Sequence, residues 1–368
     1  MTQRISNLQL ILLVANFIFS AFVISLPQII VHVGGQNAWL VPVILLPVFW
    51  LIIYLLFGKR KNIESIKDLF AIGKKSRGVE KIFILVFFFF VLLAFLGDLR
   101  ATLDFVASVL LPSTPLDILM ILSIFIIVYI SMAGLEVVSR INALHFFILM
   151  VIVLSLPLVL LNEWQPGNLK PLPSLSNVLD VIKSAYFTFS WLGEMVLFLI
   201  IIGSVNPLKA ARKAVISGTV LGFLLVFIIL FLQIMVLGTN IVKETTYPTY
   251  ILIQQINVTD FLDRLDLVLV SVWIPAMFAK LAYMLYAINY CLGFFYKSNT
   301  NKFLFPISLM LGYLSLLLFK NSMEHTHFSF YSWTSLGLGL EVLLILLFLF
   351  VRRSARKRDE TERSVNST

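Results

Sequence analysis

Charge and cysteine are scarce in this chain of 368 residues. Only 13% of the residues are charged, about half of what a soluble protein carries, and the single Cys291 excludes an internal disulfide. The four histidines show no H-E-x-x-H spacing, and no Walker A sequence occurs. The composition therefore favours neither a metallohydrolase nor an ATP-driven pump, and we expect a protein that is not an enzyme and needs no metal or other cofactor.

Apolar sequence is abundant instead, because 60% of the residues are hydrophobic. Ten apolar segments are each near or above the ~20 residues that a helix needs to cross the hydrocarbon core of a bilayer. They span approximately 7–31, 38–57, 82–108, 115–133, 141–161, 179–205, 214–238, 267–295, 302–319 and 331–351. The sequence thus predicts an all-α polytopic membrane protein with one ten-helix domain over residues 1–351 and a polar, basic tail over 352–368 that we expect to be disordered.

Lysine and arginine occur mainly in alternate loops. They cluster in 58–81, at Arg140, in 209–213, in 297–302 and in the tail after residue 351. Because basic loops stay on the cytoplasmic side of a membrane, this pattern predicts that both termini are cytoplasmic. The formal net charge of +9 is then a consequence of topology and does not indicate nucleic-acid binding.

The ten segments divide into two halves of five, approximately 1–161 and 179–351. Five is odd, so the halves must run in opposite senses across the membrane. Pro27 interrupts the first segment, and Gly193 with Glu194 interrupts the sixth, so the first helix of each half is predicted to be broken. Inverted repeats with broken first helices are typical of transporter folds with a binding site near the midplane. The alternative is that Pro27 only kinks its helix and that Gly193 only permits close packing.

Three ionisable residues lie at a similar depth in the predicted membrane: Glu194, Lys280 and Glu341. A charge at the bilayer centre costs at least ~2.5–3.5 kcal/mol, so each needs a partner or water. We expect Lys280 to pair with Glu194 or with Glu341. Such a pair can be purely structural, or one member can be displaced by a ligand or titrate during gating.

A second polar group lies on the third segment, and the broken helices supply candidate ligand contacts. Arg100 and Asp104 are four residues apart and can pair on one helix face, whereas Asp98 lies on another face. We expect this group near the outer end of the segment, and His325 with His327 in a solvated outer loop. A polar solute is expected between the first, third, sixth and eighth segments, in contact with Ser20, Ala21, Phe22, Ser190, Gly193 and Glu194.

Several short strings also carry a resemblance when they are taken in order. They are GQNAW at 35–39, DLR with Asp104 at 98–104, LPSTP at 111–115, GLEVVSR at 134–140, SWLGEM at 190–195, YPT at 247–249 and RLD at 264–266. Together they resemble the GerAB-type permease family, which is related to the amino acid–polyamine–organocation (APC) transporters. The residues that match family motifs in structural positions are Pro27, Trp39, Glu136, Arg140, Pro248, Arg264 and Asp266.

The resemblance implies a LeuT/APC-like fold and the B subunit of a spore nutrient-germinant receptor. Such a subunit would lie in the inner membrane of a bacterial endospore, with an A-type subunit and a C-type lipoprotein subunit as partners. It would bind a small nutrient, such as an amino acid, sugar or nucleoside, and trigger germination. The alternative is a proton-coupled amino acid transporter of the APC type. Family members usually carry glycines in the first helix where this chain has Ser20, Ala21 and Phe22, so the nutrient is not carried over.

The predicted orientation can be tested by labelling. In vegetative cells that produce the protein without Cys291, a membrane-impermeant thiol reagent should label a cysteine introduced by Thr246→Cys and should spare one introduced by Ser76→Cys. The reverse pattern would overturn the orientation and the repeat built on it.

Overall fold

A computed structural model describes residues 4–57, 77–170, 178–206, 208–256, 265–296 and 301–365. This part of the chain is almost entirely helical. The α-helices are α1 (Asn7–Gly34), α2 (Val41–Phe57), α3 (Arg77–Phe105), α4 (Leu116–Met132), α5 (Leu135–Val159), α6 (Val178–Leu192), α7 (Leu208–Leu232), α8 (Gly238–Glu244), α9 (Pro248–Gln254), α10 (Leu265–Tyr296), α11 (Asn301–Leu317), α12 (Ser322–His327) and α13 (Trp333–Val365).

Helices occupy each of the ten apolar segments. Among the described residues, six helical stretches are long and apolar enough to cross a membrane, and three shorter apolar helices accompany them. The six are Leu26–Leu56, Gly78–Leu110, Leu135–Val159, Ala210–Glu244, Asp266–Phe295 and Ser322–Arg353. The described residues thus form a polytopic membrane protein. Residues 58–76, which are rich in lysine and arginine and include Ser76, lie outside them.

The predicted break in the first segment is wrong. Helix α1 is continuous over 28 residues, and Pro27 lies inside it. Proline removes one backbone donor and crowds the preceding turn, which destabilises a helix interior by ~3 kcal/mol. The surrounding helices compensate, because α1 packs against α5, α6, α7, α8 and α10, and burial on several sides sustains the helical conformation.

The predicted interruption of the sixth segment is present. Helix α6 ends at Leu192, and a 3₁₀ helix extends from Glu194 to Ile200, with Gly193 between the two. A further short turn leads to strand β2 (Val205–Asn206), which pairs in parallel with β1 (Ile5–Ser6). The N-terminal residues are therefore joined to the segment on the C-terminal side of the broken helix.

Helix α1 packs most extensively against α7, and two glycines make this approach close. Gly218 and Gly222 are four residues apart and face α1, as in the small-residue contacts that are common between membrane helices. A Cβ atom on Gly218 would lie 2.6 Å from the Ile11 carbonyl oxygen, and one on Gly222 would lie 2.9 Å from the Ile18 Cβ. The two helices can keep this distance only while both positions lack a side chain.

The end of the chain also departs from the expectation. The sequence predicts a disordered tail after residue 351, but α13 continues as far as Val365. At the start of this extension the Arg352 guanidinium donates to the backbone oxygens of Leu55 (3.4 Å) and Leu56 (3.1 Å) at the end of α2. Arg352 therefore anchors α13 beside the last described residues of α2.

The contact between α1 and α7 gives a stability prediction. Gly218→Ala should lower the unfolding temperature of the protein in detergent, because overpacking against a backbone oxygen costs ~1–3 kcal/mol. The matched control is Gly97→Ala in α3, where no atom lies within 4 Å of the added Cβ and where alanine favours the helix. Equal unfolding temperatures for the two variants would contradict the close approach.

Candidate functional site

One buried ammonium group lies between two buried carboxylates at the centre of the molecule. Lys280 Nζ is 2.8 Å from Asp98 Oδ2 and 2.9 Å from Glu194 Oε2. All three side chains are almost completely excluded from solvent, with exposures of 0%, 2% and 3%. We call Lys280, Asp98 and Glu194 the Lys280 triad. The predicted pairing of Lys280 with Glu194 is thereby confirmed, and Asp98 is a second partner.

Three separate elements hold the triad. Lys280 lies on α10, about 22 Å along the helix from Leu265 at 1.5 Å per residue. Asp98 comes from α3, and Glu194 is the first residue of the 3₁₀ helix after Gly193. The interruption of the sixth segment therefore places Glu194 at a helix start, where its carboxylate turns toward α10 instead of continuing along α6.

An aromatic group completes the surroundings of Lys280. The ammonium lies 5.2 Å from the ring centre of Phe17 on α1, a cation–π distance. Phe17 packs edge-on against Phe198 and Tyr283, with ring centres 5.0 and 5.2 Å away. The Tyr283 hydroxyl donates to the Leu197 carbonyl in the 3₁₀ helix (2.7 Å). Side chains of α1 and α10 thus fix the chain just after the break.

A buried chain of polar side chains links α1 to the same region. Asn16 Nδ2 donates to Asn142 Oδ1 on α5 (2.6 Å) and to the Ala276 carbonyl on α10 (2.8 Å). The Ser20 hydroxyl donates to Asn16 Oδ1. Ala276 lies one helical turn before Lys280, so this chain holds α1, α5 and α10 together beside the triad. Each of the three side chains is fully buried, where an unpaired polar group would cost several kcal/mol in an apolar surrounding.

Glu341 does not pair with Lys280 within the described residues. Its carboxylate occupies the space that a side chain at Gly193 would fill: a Cβ built there would lie 2.1 Å from Oε2 and 2.4 Å from Oε1. Glu341 is 1% exposed, and its Oε1 has no hydrogen-bond partner among the described residues. The nearby Ser190 hydroxyl is also fully buried and has no hydrogen-bond partner in the same part of the chain. The alternative pairing of Lys280 with Glu341 is therefore wrong.

Arg100 and Asp104 pair as the spacing predicts, but they are buried. Arg100 Nε donates to Asp104 Oδ1 (2.9 Å), and its Nη1 donates to the carbonyls of Leu316 (3.2 Å) and Phe319 (3.0 Å). The second Asp104 oxygen lies 3.5 Å from His325 Nδ1. The expectation of a solvated His325 is therefore wrong. The guanidinium holds the end of α11 against α3 through carbonyls that the helix leaves free, and this draws the next turn of the chain inward.

Two open cavities lie outside the triad in the described part of the chain. One, of about 510 Å³, is lined by Ser108, Val109, Thr245, Thr246, Tyr247, Tyr250, Ile251 and Ser322, and we call it the Ser108 cavity. The other, of about 380 Å³, is lined by Tyr286, Asn289, Tyr290, Gly293 and Phe294, and we call it the Asn289 cavity. The Asn289 cavity is lined by residues of α10 that follow Lys280, whereas the Ser108 cavity is lined by residues of other elements.

An aromatic layer closes the Ser108 cavity toward the triad. Phe105 packs edge-on against Tyr247, Tyr250 and Trp273, with ring centres 5.1, 6.1 and 5.2 Å away. The Tyr250 hydroxyl donates to Asp266 Oδ2 (2.7 Å). Burial raises the pKa of the Tyr247 phenol, so this hydroxyl stays neutral at ordinary pH. Through Trp273 this layer joins the lining of the Ser108 cavity to α10, about two helical turns before Lys280.

The remaining predicted positions are distributed around this centre. Ala21 and Phe22 are buried in the core of α1. Trp39 packs edge-on against Phe227 and Phe231 of α7, while Glu136 and Arg140 form an exposed ion pair on α5. Pro248 begins α9, and Asp266 lies in the first turn of α10. Arg264 lies outside the described residues.

Sequence reasoning misses Asp98 as a partner of Lys280 and misses the chain from Asn16 to Asn142. It places Asp98 at the outer end of its segment together with Arg100, although the two lie on different faces. The available signal is position, because Asp98 is more than 20 residues into α3 and an unpaired charge there requires a partner. No local signal connects Asn16 with Asn142, which are 126 residues apart.

Comparison with known proteins gives one family. The family model described as "Spore germination protein" matches residues 4–324. The putative spore germination protein YfkT of Bacillus subtilis (strain 168) is 31% identical over 276 residues, 74% of each chain. Spore germination protein KB of the same strain is 26% identical over 334 residues, which cover 88% of this chain and 87% of the relative.

A solved transporter structure shares the fold. Mhp1, a nucleobase-cation-symport-1 family transporter solved in a closed conformation with bromovinylhydantoin bound, superposes with a TM-score of 0.54. The match covers 94% of this chain and 78% of Mhp1 at 16% sequence identity. At that identity the likeness shows a transporter-like fold and carries no information on the ligand.

The geometry of the triad predicts how strongly three variants lose abundance and thermal stability. Lys280→Met should lower abundance and thermal stability most, because it leaves two buried carboxylates without a cation, and breaking a buried pair costs ~3–5 kcal/mol. Glu194→Gln should be milder, because Asp98 still neutralises Lys280. The triple variant Lys280→Met, Asp98→Asn, Glu194→Gln should recover abundance over Lys280→Met alone.

The control is Lys183→Met, which removes an exposed pair with Asp180 and should change stability by less than ~1 kcal/mol. Immunoblots of membranes and unfolding temperatures in detergent measure both effects. A Lys280→Met variant as stable as this control would show that the triad does not hold the structure together.

Proposed function

The chain belongs to the spore germination protein family, and from that premise we propose that it is the membrane subunit of a nutrient germinant receptor. In this role it binds a small nutrient within the membrane and thereby triggers germination of the spore. The observation that carries the proposal is the Lys280 triad beside the interrupted helix, inside a fold shared with a transporter. A charged centre of this kind is costly in a membrane and is characteristic of ligand and ion pathways.

We further propose ten spanning helices in two inverted halves, approximately 1–161 and 179–351, as in LeuT/APC-like proteins. Three observations support this assignment: the ten helix-forming segments, the odd number of segments in each half, and the transporter-like fold. Both termini are then cytoplasmic, the Ser108 cavity opens outward and the Asn289 cavity opens inward. The basic extension at 352–368 lies on the cytoplasmic side of the inner spore membrane.

The nutrient site is proposed at mid-depth, where α1, α3, α10 and the end of α6 meet. Its contacts would come from Ser20, Ala21 and Phe22 on α1 and from Ser190, Gly193 and Glu194 around the break. The Ser190 hydroxyl supports this position, because it is buried without a hydrogen-bond partner among the described residues and can accept a hydrogen bond from a solute. An amino acid, sugar or nucleoside offers the polar groups that such a site requires.

Gating is proposed to act through the Lys280 triad. A bound nutrient that contacts Glu194 would compete for the carboxylate that Lys280 holds at 2.9 Å, while Asp98 keeps the ammonium neutralised. Movement of Glu194 would shift the 3₁₀ helix that it begins. The Arg100, Asp104 and His325 contacts tie α3 to the end of α11 and would carry such a shift toward the outer face. An A-type subunit and a C-type lipoprotein subunit are the proposed partners that receive the signal.

The alternative is a proton-coupled amino acid transporter of the APC type, and the likeness in fold to Mhp1 favours it. The two functions differ in one measurable respect. A transporter alone in liposomes accumulates a labelled nutrient when a proton gradient is imposed, whereas a receptor subunit does not. Uptake by the wild-type chain alone, without the other subunits, would favour the transporter.

The site is tested in spores that carry the protein with its cognate A-type and C-type subunits. Ala21→Leu and Gly193→Leu should abolish the nutrient response, measured as the fall in optical density of the spore suspension, because they fill the proposed site. The control is Gly339→Leu on an exposed face of α13, where no atom lies within 4 Å of the added Cβ. If both site variants are present at near-normal levels and respond at unchanged nutrient concentration, the site lies elsewhere.

A further inference from the structure

The buried charges around the break do not balance. Within the Lys280 triad, one ammonium group faces two carboxylates, so the triad already carries one net negative charge if all three are ionised. Glu341 lies against Gly193, the residue that precedes Glu194, and it is buried to the same degree. An ionised Glu341 would add a second net negative charge without a cation among its described contacts. A buried carboxylate without a cation usually becomes neutral by binding a proton.

The packing leaves little room for any larger cation at this position. The Glu341 carboxylate lies where a side chain of Gly193 would be, and a Cβ on Gly337, one turn earlier on α13, would lie 2.9 Å from the Ser190 Cβ. The two glycines thus bring α13 and the end of α6 into close contact. The unpartnered Glu341 Oε1 and Ser190 hydroxyl both lie along this contact. A proton fits between such groups without displacing either helix.

We propose that Glu341 is a proton-binding site that locks the break after α6. While the carboxyl group is neutral it packs against the Gly193 backbone, and it releases its proton to water when the break opens. In the ionised form it would repel Glu194 and would lack a cation, so it could not remain at Gly193. Opening of the break and loss of this proton are then one event, and the inference does not depend on which nutrient the protein binds.

The charged groups on the neighbouring elements favour the neutral form. Helix α13 packs against α6, α3, α2 and the 3₁₀ helix. The 3₁₀ helix contributes Glu194 and α3 contributes Asp98, both negative and both held by Lys280. Glu80 on α3 lies roughly 27 Å from Asp98 along the helix at 1.5 Å per residue. The titratable side chains of α6 (Asp180, Lys183 and Tyr186) are exposed, and α2 contributes only Tyr54. Arg100 on α3 is paired with Asp104, and Lys81 on the same helix is exposed. On α13 itself the nearest cation in sequence is Arg352, about 16 Å along the helix from Glu341. The described residues of these elements therefore bring no second cation to Glu341.

Infrared spectroscopy of the purified full-length protein tests the proposal. The carbonyl stretch of a protonated carboxylic acid should be present in the wild type at neutral pH and should be lost in Glu341→Gln. It should persist in Glu244→Gln, which changes an exposed carboxylate on α8. A band that is unaffected by Glu341→Gln, or that disappears in Glu244→Gln, would overturn the assignment of the proton to Glu341.

Thermal unfolding gives a second readout that does not rely on the infrared band. If the folded protein holds a proton that the unfolded chain releases, stability must fall as pH rises from mildly acidic to mildly alkaline. The fall should be reduced at least by half in Glu341→Gln, whose neutral amide mimics the protonated acid, and unchanged in Glu244→Gln. A wild-type unfolding temperature that does not fall with pH would overturn the proposal even if Glu341→Gln failed to accumulate.

Discussion

The ammonium group of Lys280 is the constraint around which the centre of this molecule is organised. A charge buried at this depth persists only when carboxylates lie beside it, and the sequence supplies them from two distant places. Asp98 requires α3 to pass close to α10, and Glu194 requires the chain after α6 to turn toward the same point. The interruption at Gly193, the 3₁₀ helix behind it and the aromatic contacts of Phe17 all follow from bringing these three groups together.

The parts of the structure that the sequence predicts are those with local signals. Hydropathy locates the helical segments because each must be apolar over its own length, and the string from Ser190 to Glu194 locates the break because glycine and a charge rarely occur together in a spanning helix. Spacing alone pairs Arg100 with Asp104. Depth, which can be counted along each segment, limits the predicted partners of Lys280 to Glu194 and Glu341.

The parts that escape prediction depend on neighbours in space. Pro27 indicates a break because an isolated helix would not tolerate it, yet five packed helices keep α1 intact. Depth cannot decide between Glu194 and Glu341, because both lie at the level of Lys280 and only the rotation of their helices separates them. The sequence around His325 predicts a solvated loop. In the structure Arg100 holds the end of α11 against α3, and His325 is buried beside Asp104. Asn16 and Asn142 are 126 residues apart, and no local sequence pattern predicts the hydrogen bond between them.

The short pairing of Ile5–Ser6 with Val205–Asn206 bears on how the protein is made. The first helix leaves the ribosome early, but its strand partner and its main packing surface on α7 are synthesised only after more than half of the chain. Until then α1 lies in the membrane without its main packing surface, and Asn16 lacks the Ala276 carbonyl of α10 until still later. The helix that is synthesised first is thus among the last to complete its packing during membrane insertion.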